Sequence, residues 1–292
     1  MAQRELTSEY LKMYQKGGTL YRLFQIINDD PDLSFEIRKD DTVKIYFNKK
    51  KILTITKNQK GLKFEPLTNG YFNDEKVRPS WVDTFNDSSW NNKKSIQNYL
   101  NKAKKYAYKE SIKAEFQLQQ SISLGNRSFD GRFLVVDMEW QFSQKGKIKS
   151  IKKTRPDLVI VDLLPNQEDK HDIYLAEVKL GTNALSGKSG LEDHVKSTLE
   201  IVDSEDACDA LVNDVSSLIK QKHLLGILKG NRPELSLANK PKMMFILGYR
   251  GDDQKCEIEK QMSKLDTKGL EGTVVMYYDT LIQIHPDSLC RI

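Results

Sequence analysis

The chain has 292 residues, of which 38% are hydrophobic and 30% charged, and its formal net charge is +5. This composition is typical of a globular protein with one large or two modest domains, and it excludes a low-complexity or strongly basic chain. No apolar run approaches the ~20 residues of a membrane span, and the first residues lack the apolar core of a signal peptide. The three cysteines are scattered along the chain, which is typical of reduced thiols. A cytoplasmic protein without membrane contact is therefore expected.

Residues 1–65 read as a small α+β domain. Helical periodicity covers residues 5–27 and is interrupted at Gly17 and Gly18. Three or four short strands are expected next, at residues 34–38, 42–47 and 51–56, with residues 62–65 as the candidate for a fourth. Asp40 and Asp41 predict a turn between the first two. No recognisable chemistry is assigned to this domain.

Residues 66–92 are rich in Asn, Asp, Ser, Gly and Pro and are interpreted as a linker or packed loop. Trp81 and Trp90 favour packing, because large aromatic side chains are usually buried against something. The domain boundary is placed here, so residues 93–292 form the second domain.

The second domain is predicted to begin with a long helix over residues 93–123. Three strands follow, and the rest alternates between helices and strands in the order α, β, β, β, α, α, β, α, β. The later elements are expected at residues 191–202 (helix), 206–229 (helix), 242–249 (strand), 253–265 (helix) and 273–278 (strand).

The first of these three strands, residues 133–142, shows strict alternation of apolar and polar residues. Asp137 and Glu139 are predicted to share its polar face. The other face is entirely apolar and comprises Leu134, Val136, Met138, Trp140 and Phe142.

Charged residues mark the ends of the next two strands. Asp157 opens an apolar run, and Glu177 and Lys179 close the next one, after a mostly polar loop. A hairpin centred on Gln167 pairs Asp157 with Glu177, and alternation puts Glu177 and Lys179 on one face. A turn near Gly146 similarly pairs Glu139 with Asp157, so the carboxylates converge. Because such like charges repel unless a cation lies among them or some of them are protonated, the pattern favours a metal site.

Residues 142–156 are basic and contain no acidic residue. Lys152, Lys153 and Arg155 are candidates for binding a nucleic-acid backbone beside the carboxylates. The alternative is a solvated turn, which is the commoner explanation of a lysine run.

The Pro156-Asp157 and Glu177-Val178-Lys179 motifs, in their strand context, resemble those of the PD-(D/E)XK nuclease superfamily, over roughly residues 93–280. The resemblance implies a restriction-endonuclease-like αβββαβ core with a mixed sheet, and a metal-dependent nuclease acting on nucleic acid, with DNA as the expected partner. It implies that Asp157, Glu177 and the carbonyl of Val178 bind Mg²⁺ or Mn²⁺ and that Lys179 is catalytic. A glutamate on the first core helix is frequent in the superfamily, and Glu115 is its best match.

Several alternatives stay open. Glu115 either binds a second metal ion or supports the metal ligands, or it is a solvated helix residue. His194 lies in the helix after the motif, at the end expected to face the site, and it either binds phosphate, relays a proton or has a structural role. Gln119 and Gln120 either bind the site carboxylates or support helix packing. Two other functions compete with the nuclease. One is a non-catalytic nucleic-acid-binding module. The other is a P-loop-like nucleotide site over residues 181–189, but this segment has five residues between its glycines, whereas a P-loop has four. The oligomeric state is open, with a homodimer among the options.

Overall fold

The computed structural model describes residues 4–67, 89–109, 114–141, 155–182, 185–186 and 190–279. Within these residues the fold is mixed α/β, with two sheets and seven α-helices. The helices are α1 (Ser8–Tyr14), α2 (Tyr21–Asn28), α3 (Lys93–Lys109), α4 (Ala114–Gly125), α5 (Leu191–Val202), α6 (Glu205–Leu224) and α7 (Gly251–Met262). The strands are β1 (Leu33–Arg38), β2 (Thr42–Phe47), β3 (Lys50–Asn58), β4 (Gly61–Pro66), β5 (Phe133–Met138), β6 (Leu158–Pro165), β7 (His171–Leu180), β8 (Lys242–Tyr249) and β9 (Val274–Asp279).

The N-terminal sheet is an antiparallel meander in the order β1-β2-β3-β4. The predicted turn at Asp40 and Asp41 is confirmed, with φ angles of 58° and 47°. Asn48 and Lys49 form the next turn with φ angles of 48° and 59°. Two consecutive left-handed residues match the right-handed twist of the flanking strands, and Asn and Asp tolerate that conformation well. All four predicted strands of this unit are present.

The second sheet has the order β5-β6-β7-β8-β9, with β5, β6 and β7 antiparallel and β8 and β9 added in parallel. Leu158 pairs with Ala176 and Met138 pairs with Leu158, so both registers expected from the sequence are confirmed at this end of the strands. The sheet is therefore mixed, as predicted.

Two helix predictions need comment. The helix expected over residues 206–229 was wrong at its end: α6 stops at Leu224, and Gly226 adopts a φ of 74° in the turn that follows. The long helix predicted over residues 93–123 corresponds to α3 and α4, and residues 110–113 between them lie outside the described residues.

Trp90 stacks on Phe64 at 5.9 Å between ring centroids, which confirms its predicted packing, whereas Trp81 is outside the described residues.

The single apolar face predicted for residues 133–142 was wrong. The ladder shifts between Val135 and Asp137, and this β-bulge reverses the alternation. Val136 and Met138 consequently pack into different core clusters, on opposite faces of the sheet. The strand ends at Met138, and Glu139 turns away with a φ of 54°. Asp137 and Glu139 therefore have different surroundings.

One hydrophobic cluster runs from the N-terminal unit into the second sheet. It joins Phe35 and Ile45 to Val159, Leu175 and Leu211, all of which are buried. The N-terminal sheet thus packs directly on the part of the chain that holds the predicted motif. The boundary at residues 66–92 stays a prediction, but the two units share a core.

Buried ion pairs reinforce this contact. Glu36 of β1 is fully buried and accepts a hydrogen bond from Lys222 Nζ of α6 at 2.6 Å. Asp137 of β5 accepts hydrogen bonds from Arg4 and from Arg38, the latter at 2.6 Å. Burial alone would raise the pKa of Glu36, but the positive charges of Lys222, Arg127 and Arg38 outweigh it and lower the pKa to about 2.

The Glu36 interaction predicts a specific acid sensitivity. A carboxylate with a lowered folded-state pKa stabilises the fold above its unfolded pKa and loses that contribution as the pH falls. Glu36→Gln should lower the free energy of unfolding by about 3 kcal/mol at pH 7, and the difference from wild type should shrink from about pH 5 toward pH 2. Urea denaturation across this pH range measures it.

The matched control is Glu271→Gln, because Glu271 is exposed. Its stability should follow wild type at every pH. A gap between wild type and Glu36→Gln that stays constant with pH would contradict the assignment of the acid sensitivity to Glu36.

Candidate functional site

The predicted motif residues converge at one end of the β6–β7 hairpin. Asp157 lies directly before β6, and Glu177 and Lys179 lie on the last part of β7. The backbone N–H of Val178 donates to Oδ2 of Asp157 at 3.0 Å, which ties the carboxylate to the strand that carries the other two. All three side chains are largely buried, with residue exposures of 9%, 4% and 8%. Three ionisable groups in so little solvent indicate a site rather than a solvated strand end.

Glu177 has the most perturbed environment of the motif carboxylates. Burial, together with the nearby charge of Asp157, raises its pKa to about 7, although hydrogen bonding from His194 and the charge of Lys179 act in the opposite direction. His194 Nδ1 lies 3.0 Å from Glu177 Oε1. The first turns of α5 therefore bring a second titratable group to the carboxylate, and the predicted proximity of His194 to the site is observed.

Lys49 is a site residue that sequence reasoning missed. It lies in the β2–β3 turn of the N-terminal unit, and its Nζ donates to Asp157 Oδ1 at 2.6 Å. The same ammonium is 3.7 Å from Glu139 Oε1. The sequence assigns no recognisable chemistry to residues 1–65, yet this unit places a lysine ammonium on Asp157. An Asn-Lys pair between two apolar strands signals a turn, but nothing in it indicates where the turn docks.

Glu139 belongs to the site, and Asp137 does not. The Glu139 N–H donates to the carbonyl of Asp157 at 3.0 Å, and its carboxylate lies 3.8 Å from Arg155. Asp137 is instead enclosed by Arg4 and Arg38. The sequence-based preference for Glu139 agrees with this geometry, and the bulge in β5 is the physical reason.

The other candidates are distributed around this centre. Arg155 is exposed at its rim, whereas Lys152 and Lys153 lie outside the described residues. Glu115 is partly buried in the first turn of α4, and among the described residues it makes no hydrogen bond or ion pair with the carboxylates.

The two glutamines of α4 differ. The Gln120 side chain accepts from the Lys49 N–H at 2.7 Å and donates to the Asp32 carbonyl at 2.6 Å, so it positions the β2–β3 turn. Gln119 is fully buried, and neither of its amide atoms has a hydrogen-bond partner among the described residues. Gln120 thus bonds to the turn that carries Lys49 rather than to a site carboxylate.

The donor set matches a hard divalent cation in chemistry. Carboxylate oxygens of Asp157, Glu177 and Glu139 are the ligand type that Mg²⁺ and Mn²⁺ prefer. Burial, and then the charge of Asp157, raise the pKa of Glu177, and a bound cation would favour the ionised carboxylate against both effects. The described parts of the chain nevertheless contain no ready group of three or more His, Cys, Asp or Glu residues in metal-binding geometry.

Comparison with known proteins gives no family for this chain: no family model, no curated protein and no solved structure matches it. No helix within the described residues is long and apolar enough to cross a membrane. Of the P-loop-like segment, residues 183–184 and 187–189, including Lys188, lie outside the described residues.

The different surroundings of Asp137 and Glu139 yield a prediction. Asp137→Asn should lower the free energy of unfolding by about 3 kcal/mol or more, because it removes the charge that two buried arginines share. Glu139→Gln should cost less than about 1 kcal/mol, because its ion pairs are longer and partly exposed to solvent. Chemical denaturation of both variants at neutral pH compares them directly, and equal losses would contradict the separation of the two carboxylates.

Proposed function

We propose that this chain is a metal-dependent nuclease that hydrolyses nucleic-acid phosphodiester bonds, with DNA as the expected substrate. We further propose that residues 93–280 form a PD-(D/E)XK-type αβββαβ core. One observation carries the proposal: the Val178 N–H donates a buried hydrogen bond of 3.0 Å to Oδ2 of Asp157. This bond connects Asp157 to the segment that contains Glu177 and Lys179. The order of α4, three antiparallel strands, α5 and a parallel β8 supports it.

In this proposal Asp157, Glu177 and the Val178 carbonyl hold Mg²⁺ or Mn²⁺, with Glu139 as a further carboxylate at the same edge. The bound ion would supply charge neutralisation at the phosphate and a more acidic water. The donor chemistry fits this assignment, because hard cations prefer oxygen ligands.

The protein side chains have separate tasks in the reaction. The water gives up a proton as its oxygen bonds to phosphorus, the ester P–O bond on the opposite side breaks, and the departing alkoxide oxygen takes up a proton from solvent. Lys179 stabilises the negative charge that builds up on the phosphate oxygens and orients the water, which suits an ammonium in a site of low solvent access. His194 holds Glu177 in place through its Nδ1. Arg155 at the rim, with Lys152 and Lys153, binds neighbouring backbone phosphates.

A non-catalytic nucleic-acid-binding module is the second candidate. It is favoured by one observation: Asp157 already has a cation partner in Lys49, at 2.6 Å, within the protein itself. In such a module the carboxylates would serve the packing of the N-terminal unit, and added metal would have no effect on them.

A cleavage assay tests the nuclease. Linear, circular and single-stranded DNA and RNA are incubated with Mg²⁺ or Mn²⁺ and wild type, Asp157→Asn or Lys179→Met. We expect cleavage that falls by about 100-fold or more in both variants, since each removes a group acting on the developing charge.

The matched controls are Asp169→Asn and Lys170→Met, which make the same chemical changes in the β6–β7 loop. Both should cleave like wild type. Cleavage that survives Asp157→Asn would place the activity elsewhere, and folded wild type that cleaves no substrate would favour the binding module.

Thermal melting with metal separates the two candidates without any substrate. A ligand that binds only the folded state stabilises it by about 2.7 kcal/mol at 100 times its dissociation constant. Saturating Mn²⁺ should therefore raise the melting temperature of wild type and of Asp169→Asn, but not that of Asp157→Asn. A shift that is equal in all three proteins would mean that the metal binds outside this site.

A further inference from the structure

We propose that Lys49 is an active-site residue contributed by the N-terminal unit, and that its ammonium competes with the divalent metal ion for Asp157. The proposal rests on the proposed function for its choice of metal, and it deepens that function by adding a residue that controls metal loading. It starts from the 2.6 Å contact between Lys49 Nζ and Asp157 Oδ1.

The contact is built into the fold and is not a loose surface pair. The Lys49 side chain is 9% exposed, and its Nζ lies over the ring of Phe116, 5.1 Å from the centroid. Its backbone N–H is bound by Gln120 Oε1 at 2.7 Å. Two left-handed residues, Asn48 and Lys49, give the turn a defined shape. The lysine is therefore directed into the site by backbone and side-chain contacts together.

The adjacent residue shows how specific this orientation is. Lys50 points elsewhere, with its Nζ donating to the carbonyl of Ala107 at 3.1 Å. Of these two consecutive lysines, Lys49 contacts the site carboxylates and Lys50 contacts α3. Lys50 thus provides a matched control, because it has the same charge, lies next to Lys49 in the chain and can receive the same substitution.

Competition follows from the two partners of Asp157. Its Oδ2 accepts from the Val178 N–H at 3.0 Å, and its Oδ1 accepts from Lys49. A metal ion that binds Asp157 must therefore displace the ammonium or share the carboxylate with it, and like charges at that distance repel. Each cation consequently weakens the binding of the other.

Calorimetric titration with Mn²⁺ tests the competition on the full chain. Lys49→Gln should bind Mn²⁺ more tightly than wild type, on the order of tenfold, which is a typical size for coupling between two bound groups. Lys50→Gln should keep the affinity of wild type. Lys49→Arg keeps the positive charge and should bind like wild type, whereas Lys49→Met, which also removes the charge, should bind Mn²⁺ more tightly and is the second variant if Lys49→Gln folds poorly.

A metal-free double-mutant cycle gives a second measurement. In EDTA, the effects of Lys49→Gln and Asp157→Asn on the free energy of unfolding should be non-additive, because each removes one partner of the same ion pair. The same cycle with Lys50→Gln should be additive. Additivity in the Lys49 cycle would overturn the proposal.

The outcomes separate this proposal from the nuclease itself. Equal or weaker Mn²⁺ binding by Lys49→Gln would overturn the competition, even if metal-dependent cleavage is found. Tighter Mn²⁺ binding by Lys49→Gln alone would support it, even if no nucleic acid is cleaved. Absence of Mn²⁺ binding in wild type and all variants would overturn the competition as well.

Discussion

The antiparallel register between β6 and β7 is the constraint on which the candidate site depends. Leu158 opposite Ala176 puts Asp157 beside the end of β7, where its carboxylate reaches the Val178 N–H at 3.0 Å. A shift of one residue would turn Glu177 and Lys179 to the other face of the sheet, among the apolar side chains that surround Val178. Burial on both faces of β7 therefore fixes the register, and the register determines which charged side chains meet at the candidate site.

Gathering these charges in a buried corner has an electrostatic cost. Glu177 shows it directly, since burial and the nearby Asp157 raise its pKa to about 7. The protein places polar partners around the carboxylates from three directions: the Lys179 ammonium on the same strand, the His194 ring from α5 and the Lys49 ammonium from the N-terminal unit. Lys49 comes from farthest along the chain, and the core shared by the two units keeps it in place.

The N-terminal unit consequently has a role in both stability and the site. The buried pairs Glu36–Lys222 and Asp137–Arg38 join its β1 strand to α6 and β5. The same packing brings the β2–β3 turn to Asp157. Substitutions in the ionic network should therefore also affect the site, because the position of Lys49 depends on how the two units pack.

The sequence by itself determined which segments form strands, their order along the chain and the register of β5, β6 and β7 at the end that carries the motif, because side-chain alternation and turn residues are local properties. It also identified Asp157, Glu177, Lys179 and Glu139 as neighbours. It did not reveal the bulge that separates Asp137 from Glu139, because an extra residue leaves the apolar pattern almost unchanged. Only the tertiary structure brought Lys49 to Asp157, since this contact spans 108 residues and depends on how the N-terminal unit packs against the second sheet.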